Sequence, residues 1–464
     1  LAGKVASDLY QNSHAIDYYT RALVFTSPED LSTQYDLRAE RVKLYNRLAD
    51  RVSQLEDLDS LENLAQRLND NTRLAKMLMG RAVYHYLMGS YADAIDDAAQ
   101  AETLSDSMAD SDLEILAQTT WFLALMRLGR LEEAMQRAQN TLRRVRQANN
   151  QRGEARVLNG MGMLALEQRE PGAAQQYLVE ALRIARSIKA RGLEHRALNN
   201  LAMSEGDVHG DYAVAREYYQ QAYNIAREIG DRNAEGVALG NLGFAAGMQG
   251  DLVAAQEYHQ RSLAVARETG NRYHETYTLI NLSAVTGIQN NAALALQFAL
   301  EAAEIARRAG ELSGEAWAML YMGHAYTLMH EFEQARAAYR KSIEIRDALG
   351  QPSLSMEPRA GLVEVALKME DPQSALPEAK RILDYLVSGG TLDGTDEPLR
   401  VYYSCYLFLK KQQDPHARQI LQAAIQLLEA QVSKFKDEHA RKMYIENVPW
   451  RLAIRQAKQN LTMD

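Results

Sequence analysis

The sequence returns on itself every 40 residues. Residues 234–270, AEGVALGNLGFAAGMQGDLVAAQEYHQRSLAVARETG, are followed after a three-residue spacer by HETYTLINLSAVTGIQNNAALALQFALEAAEIARRAG at 274–310. Asn241-Leu242-Gly243 comes back as Asn281-Leu282-Ser283, and Ala255 as Ala295. Ala264-Val265-Ala266-Arg267 comes back as Glu304-Ile305-Ala306-Arg307, and Gly270 as Gly310. Each copy holds two amphipathic stretches joined by a short turn. A fixed period of this size means stacked supersecondary units, each burying its apolar face on its neighbours. Such an array escapes the limit of about 250–300 residues at which one core stops growing, so 464 residues are compatible with a single array.

Punctuation keeps the same step. Gly230, Gly270, Gly310, Gly350 and Gly390 stand where second helices should end. There a glycine takes the left-handed conformation that closes the last carbonyls. Inside each unit the turn is written Gly210-Asp211, Gly250-Asp251, Asn290-Asn291 or Glu370-Asp371-Pro372. Gly or Asn stops the first helix, and a capping side chain or a proline at the first helical position starts the second.

Small residues mark the contacts between the two helices. Ala15, Ala94, Ala134, Ala174, Ala215, Ala255, Ala295, Ala335, Ala375 and Ala417 recur at steps of 40 to 42. One double-length gap interrupts them, with Leu55 where an alanine would fall. Twelve residues before many of them stands another small residue: Ala82, Gly162, Gly243, Ser283, Gly323 or Cys405. Two small residues face to face would let the helices approach closely, and a larger side chain would overpack by about 1–3 kcal/mol. Four residues after several alanines comes an aromatic, Tyr19, Tyr219 or Tyr339, and seven after comes Ala22, Ala181, Ala222, Ser262, Ala302 or Ser342.

This small–small–aromatic–small signature resembles a tetratricopeptide repeat. The match runs over nearly the whole chain and is strongest in residues 153–350. It weakens at 31–70 and 111–150, where Phe122 replaces the first small residue. The usual repeat is about 34 residues long, and the extra six lengthen the helices. The longer form resembles the arrays of LGN/Pins proteins and kinesin light chains. It also resembles the helical arrays of bacterial peptide receptors and the C-terminal regions of large bacterial signalling (STAND) ATPases, including MalT-like regulators. The expected fold is all-α: a right-handed α-solenoid of about ten helical hairpins over residues 1–436, irregular at 31–70 and after 350. Residues 437–464 are expected to form capping helices, with Tyr444, Ile445, Val448, Trp450, Leu452 and Ile454 closing the exposed core face. Pro377 should kink or delay its helix, and 388–398 (SGGTLDGTDEP) reads as a mobile loop.

Composition narrows the function. A net charge of −9, spread rather than blocked, argues against nucleic-acid or anionic-membrane binding. No apolar run approaches the roughly 18 residues that span a bilayer. No signal peptide is seen. Cys405 is the only cysteine, which fits a reducing, cytoplasmic setting, and its small-residue position points to a buried, inert thiol. The chain opens on Leu1 in helix-like text, which suggests a fragment of a longer protein. Nucleotide-binding, zinc-protease and nucleophile-elbow motifs are absent. No catalytic residue, cofactor or metal ligand is expected.

What remains is a binding surface. The resemblance implies that each first helix lines the concave side, and its second, fifth, sixth and ninth residues share a face. The sixth positions hold Asn200, Asn241, Asn281 and Tyr321, and the ninth Met203, Phe244, Ala284 and His324. The second positions hold Arg196, Val237, Tyr277 and Trp317, and the fifth Asn199, Gly240, Ile280 and Leu320. An asparagine offers both an acceptor and a donor pair, so a ladder of them can bracket successive peptide units of an extended ligand. In LGN-like and kinesin-light-chain arrays asparagines at this place hold peptide, which the resemblance extends to Asn200, Asn241 and Asn281. Two readings stay open for them: ligand binding, or bridging of neighbouring helices. The candidate groove comprises Arg196, Asn199, Asn200, Asn241, Phe244, Asn281, Trp317, Tyr321 and His324, and its expected partner is a protein or peptide segment. A basic run containing Arg143, Arg144 and Arg146 is either a solvated face or a patch for an acidic partner or for another domain of the parent chain. The alternative function is the sensor or regulatory region of a larger nucleotide-driven or cyclase signalling protein.

Overall fold

The computed structural model describes residues 2–461 apart from 9–10, 49, 105–111, 169, 208–209, 270, 310, 393 and 436. Every regular element among the described residues is a helix. In order they are α1 (Ala2–Asp8), α2 (Asn12–Phe25), α3 (Leu31–Leu48), α4 (Arg51–Arg67), α5 (Asn71–Met88), α6 (Tyr91–Leu104), α7 (Asp112–Arg127) and α8 (Leu131–Gln147). Next come α9 (Gln151–Glu167), α10 (Pro171–Ser187), α11 (Arg191–Asp207), α12 (Tyr212–Glu228), α13 (Arg232–Met248), α14 (Leu252–Glu268), α15 (Arg272–Ile288) and α16 (Ala292–Ala309). The last eight are α17 (Leu312–Leu328), α18 (Phe332–Ala348), α19 (Pro352–Lys368), α20 (Pro372–Val387), α21 (Pro398–Lys411), α22 (Ala417–Val432), α23 (Glu438–Glu446) and α24 (Pro449–Leu461). The chain is an all-α repeat solenoid. Its contacts gather into two compact units, 1–209 with 217–238 and 268–270, and 210–216 with 239–267 and 271–464.

The turns follow the punctuation. Gly210, Gly230, Gly250 and Gly350 are left-handed, with φ of 62°, 64°, 80° and 66°. Asn290 and Glu370 hold the same conformation without being glycine, at 62° and 58°. Asp211, Asp251, Asn291 and Asp371 each accept from the backbone N–H three residues on, the bond that satisfies an orphan donor of the new helix. After α20 it is Gly389, not Gly390, that turns left-handed, at φ 88°. Gly270 and Gly310 lie outside the described residues. Pro377 does not delay its helix. α20 starts at Pro372, capped by Asp371, and runs through Pro377.

Packing within a hairpin obeys a spacing of sixteen residues. A Cβ on Gly3, Gly162 or Gly243 would meet Tyr19, Leu178 or His259 at 2.8, 2.5 and 2.7 Å, and Gly323 is closed in the same way by Tyr339. The glycine thus faces the residue four places after the alanine, not the alanine itself. Where the first member is large, the second is small: Phe122 answers Ala138, both fully buried. Phe122 then projects against Gly160 of the next first helix, 2.6 Å from where a Cβ would stand. That is how the array absorbs its departure from the pattern. The early repeats use the same spacing for charge, with Arg41 bridging Asp57 at 2.5 Å and Arg81 bridging Asp97 at 2.9 Å.

Ion pairs repeat along the stack as well. Glu194 receives Arg186 at 3.0 Å and Arg191 at 2.5 Å, and Glu275 receives Arg267 at 3.0 Å and Arg272 at 2.6 Å. Glu235 sits between Arg227 and Arg232 in the same manner. Each glutamate is nearly buried and joins the end of one hairpin to the start of the next. Three of these carboxylate–guanidinium contacts, those from Arg191, Arg232 and Arg272, are short, as charge-assisted bonds are.

In the segment 388–398, of which Asp393 lies outside the described residues, residues on both sides are tied into the fold. Leu392 is buried in the core beside Val401 and Ile382, and Tyr385 donates to the Thr391 carbonyl at 2.9 Å. Beyond α22 the helices turn back. Tyr444, Val448 and Ile454 are buried, with Ile445 and Trp450 packed alongside. Within the second unit, Asn447 donates to the Gly250 carbonyl at 2.9 Å and Arg451 to the Met248 carbonyl at 3.1 Å. A Cβ on Gly250 would meet the Met443 carbonyl oxygen at 2.5 Å. A glycine is therefore required there twice over, for φ and for room.

Candidate binding chamber

The second unit carries a cavity of about 580 Å³. First helices α13, α15, α17, α19 and α21 each contribute to its wall, and Pro449, Trp450 and Ala453 of α24 complete it. The expected open groove is therefore a chamber here, because α24 is tied to the α13 end by Arg451. That side chain is 1% exposed and donates both to Met248 and, at 2.8 Å, to Glu397 Oε1. The Trp450 indole donates to Glu397 Oε2 at 2.8 Å.

Four of the residues expected in the groove line this chamber: Phe244, Asn281, Tyr321 and His324. Tyr321 donates to Asp396 Oδ2 at 2.5 Å. His324 Nδ1 lies 2.7 Å from the Tyr339 hydroxyl. Burial holds its imidazole well below its ordinary range, aided by the Arg400 charge, so the ring is neutral. Phe244 packs edge-on against Tyr212. Asn241 is half-buried one turn before Phe244. Trp317 does not line the chamber. It stacks on Arg346, whose guanidinium lies 4.7 Å from the ring and bonds Ser313 and Gln351.

The remaining expected residues lie in the first unit. Asn200 is buried and donates to Asn159 of α9 at 3.0 Å, a bridge between neighbouring first helices. Asn199 is half-buried and Arg196 exposed on the same helix. In the basic run, Arg144 pairs with Glu114 at 2.5 Å and Arg146 with Glu154 at 2.6 Å and Glu180 at 3.1 Å. Arg143 donates to the Asn140 side chain.

The chamber also gathers charge that sequence reading did not single out: Glu357, Glu364, Asp396, Glu397, Lys368 and Arg400. Glu364 pairs with Arg400 at 2.8 Å, and both are half-buried. Burial, and then the Asp396 charge, push the Glu357 carboxyl well above the usual carboxylate range. A signal for part of this set was present. Carrying the second and ninth positions of the concave face one repeat beyond Trp317 and His324 lands on Glu357 and Glu364. No group of three or more His, Cys, Asp or Glu residues able to hold a metal occurs among the described residues.

The repeat geometry defines the class. Residues 193–268 and 318–348 match family models of the tetratricopeptide repeat, and the same hairpin continues on either side of them. The chain is an array of tetratricopeptide repeats. Among solved structures it is similar to a signal transduction ATPase with numerous domains, with a tetratricopeptide repeat sensor, from Pyrococcus horikoshii. There the TM-score is 0.54 at 16% identity, covering 78% of this chain and 55% of that one. It is also similar to the apo form of the quorum sensor NprR from B. thuringiensis, with a TM-score of 0.53 at 13% identity over 76% of this chain and 97% of that one. An APC/C hetero-tetramer gives a TM-score of 0.53 at 14% identity, over 88% and 74%. At these identities the likeness is one of fold. No curated protein matches the sequence significantly.

Proposed function

We propose that the protein is a non-catalytic binding module whose concave first-helix faces receive a protein or peptide segment. One observation carries this reading. Phe244, Asn281, Tyr321 and His324, chosen for their place on that face, line one cavity. Its lining combines apolar side chains with a few convergent polar groups, the composition usual for binding sites. Asn241 and Asn281 are the residues proposed to grip a ligand's backbone. Asn200, which bonds Asn159, is better read as a helix bridge. Arg143, Arg144 and Arg146 remain a secondary candidate for an acidic partner.

The test is a selection of peptides from a display library on the intact protein. Peptides so isolated should bind Asn241→Ala with Asn281→Ala about tenfold or more weakly, while the helical melting profile stays within a few degrees. Undiminished binding in that double variant would return both asparagines to helix bridging.

A second reading has its own support. The similar archaeal protein is described as carrying a tetratricopeptide repeat sensor, and this chain spans 55% of it. On that reading the array is the regulatory region of a larger signalling ATPase or cyclase and acts in the cytoplasm. The encoding reading frame decides it, through the presence or absence of such a module upstream.

A further inference from the structure

The acidic end of the chamber asks for more than packing. Glu364 is answered by Arg400 and Glu397 by Arg451 and Trp450, and Asp396 takes the Tyr321 hydroxyl. Glu357 is only half answered, by the Glu397 backbone N–H. It is 1% exposed, and its Oε2 has no hydrogen-bond partner. Its Oε1 lies 3.7 Å from Nε2 of His324, which has no hydrogen-bond partner either. Buried polar atoms are hydrogen-bonded as a rule. Two adjacent exceptions in the lining of one cavity mark a place built for a ligand's polar group.

We propose that the chamber binds a molecule with an apolar body and a single protonated amine, the ammonium lodging at Glu357 beside Asp396. The body lies against Phe244, Met248, Leu252, Val285 and Ile288. Size, charge and hydrogen bonding each select this class. A cavity of about 580 Å³ falls in the range of about 300–1,000 Å³ typical of small-ligand sites. Glu364 and Glu397 are paired with Arg400 and Arg451, so the charge an added cation needs comes from Glu357, which can give up its proton to receive it, whereas an added anion finds no unpaired cation there. An ammonium has three donors and no acceptor, which suits a carboxylate oxygen lacking a donor.

The proposal rests on reading the concave wall as a binding site, but not on the occupant's being a protein. Free hydrophobic amines and peptide N-termini share this head group. Binding should also move a proton. Burial, and then Asp396, raise the Glu357 carboxyl, while Arg400 opposes them. Glu397, His324, Tyr321, Tyr339 and Arg346 complete its surroundings. An ammonium favours the ionised carboxylate, so its arrival near neutral pH releases a proton.

Calorimetry on the full chain tests this with phenethylamine, octylamine and their N-acetyl derivatives, and with one short apolar peptide carrying a free or an acetylated N-terminus. The expected result is binding by a free amine that acetylation weakens about tenfold or more. Glu357→Gln should weaken it equally at an unchanged helical melting profile, and buffers of different ionisation heat should report proton release. Selective binding by the peptide names a chain terminus as the source of the head group, and selective binding by the amines a small molecule. Equal affinity for amine and acetyl amide overturns the proposal, and so does an amine affinity untouched by Glu357→Gln. Acetylation leaves the protein unaltered, so that arm holds even if the variant fails to fold. If neither probe binds while displayed peptides sensitive to Asn241 and Asn281 do, the ammonium assignment falls and the binding-site reading stands. If both fail, both fall.

Discussion

His259 fills the space that Gly243 leaves open, and there it is 1% exposed. Burial, with a smaller push from His274, lowers its imidazole to about 3. A histidine depressed in this way costs stability in acid. Below the ordinary value of 6.5 the unfolded chain takes up a proton that the folded chain refuses. Stability therefore falls as pH drops toward 3 and is unaffected above 7. The loss is about 2 kcal/mol between pH 6.5 and about pH 5. Leu178 occupies the matching site over Gly162, so His259→Leu should fold and should lack this acid penalty. Denaturant titrations of both forms at the two pH values measure it. Residue-level detail was the least legible part of the sequence. The small–small–aromatic text announced a packed site, but nothing in it distinguished His259 as a core residue. Nor did it reveal that Arg346 would stack beneath Trp317 and draw that ring out of the expected binding set.

Hairpins, by contrast, could be read almost to the residue. Turn chemistry is local, and Asp211, Asp251, Asn291 and Asp371 cap their helices where the text placed them. The sixteen-residue spacing was half visible. Its two members were recognised separately, as a small residue and an aromatic around one alanine, and only the structure shows that they touch. Tyr339 carries this furthest, because it closes on Gly323 of its own hairpin and on Gly361 of the next first helix. Its hydroxyl also meets His324 and Thr327. Gly323→Ala should therefore destabilise by about 1–3 kcal/mol through overpacking. Gly172→Ala, in the exposed first turn of α10 with nothing within 4 Å of an added Cβ, should leave the melting temperature unchanged or slightly raised. The pair of thermal melts checks the rule.

Across the whole molecule, sequence periodicity predicts neighbours and says nothing of contacts that break period. The solenoid class was legible because every hairpin repeats the same instruction. The chamber was only partly so: its helical wall follows from the repeat, but its lid depends on Arg451, Asn447 and Trp450, which lie outside the pattern. Removing the Arg451 charge leaves Glu397 with only the Trp450 indole, and losing one partner of a buried pair costs about 3–5 kcal/mol. Arg451→Ala should accordingly speed amide exchange in α23, α24 and the α13–α14 turn, while exchange in α9 and α10 stays as it was.

The bond from Asn447 to Gly250 joins residues 197 apart in the chain. Ordinary repeat proteins propagate order outward from any nucleus and fray from their tips. Here, in the second unit, the last helices also contact a hairpin far away in the sequence, and contacts of such separation are costly in loop-closure entropy and slow folding. Once made, that seam converts a string of nearest-neighbour couplings into a loop, so that loosening either side of it loosens both.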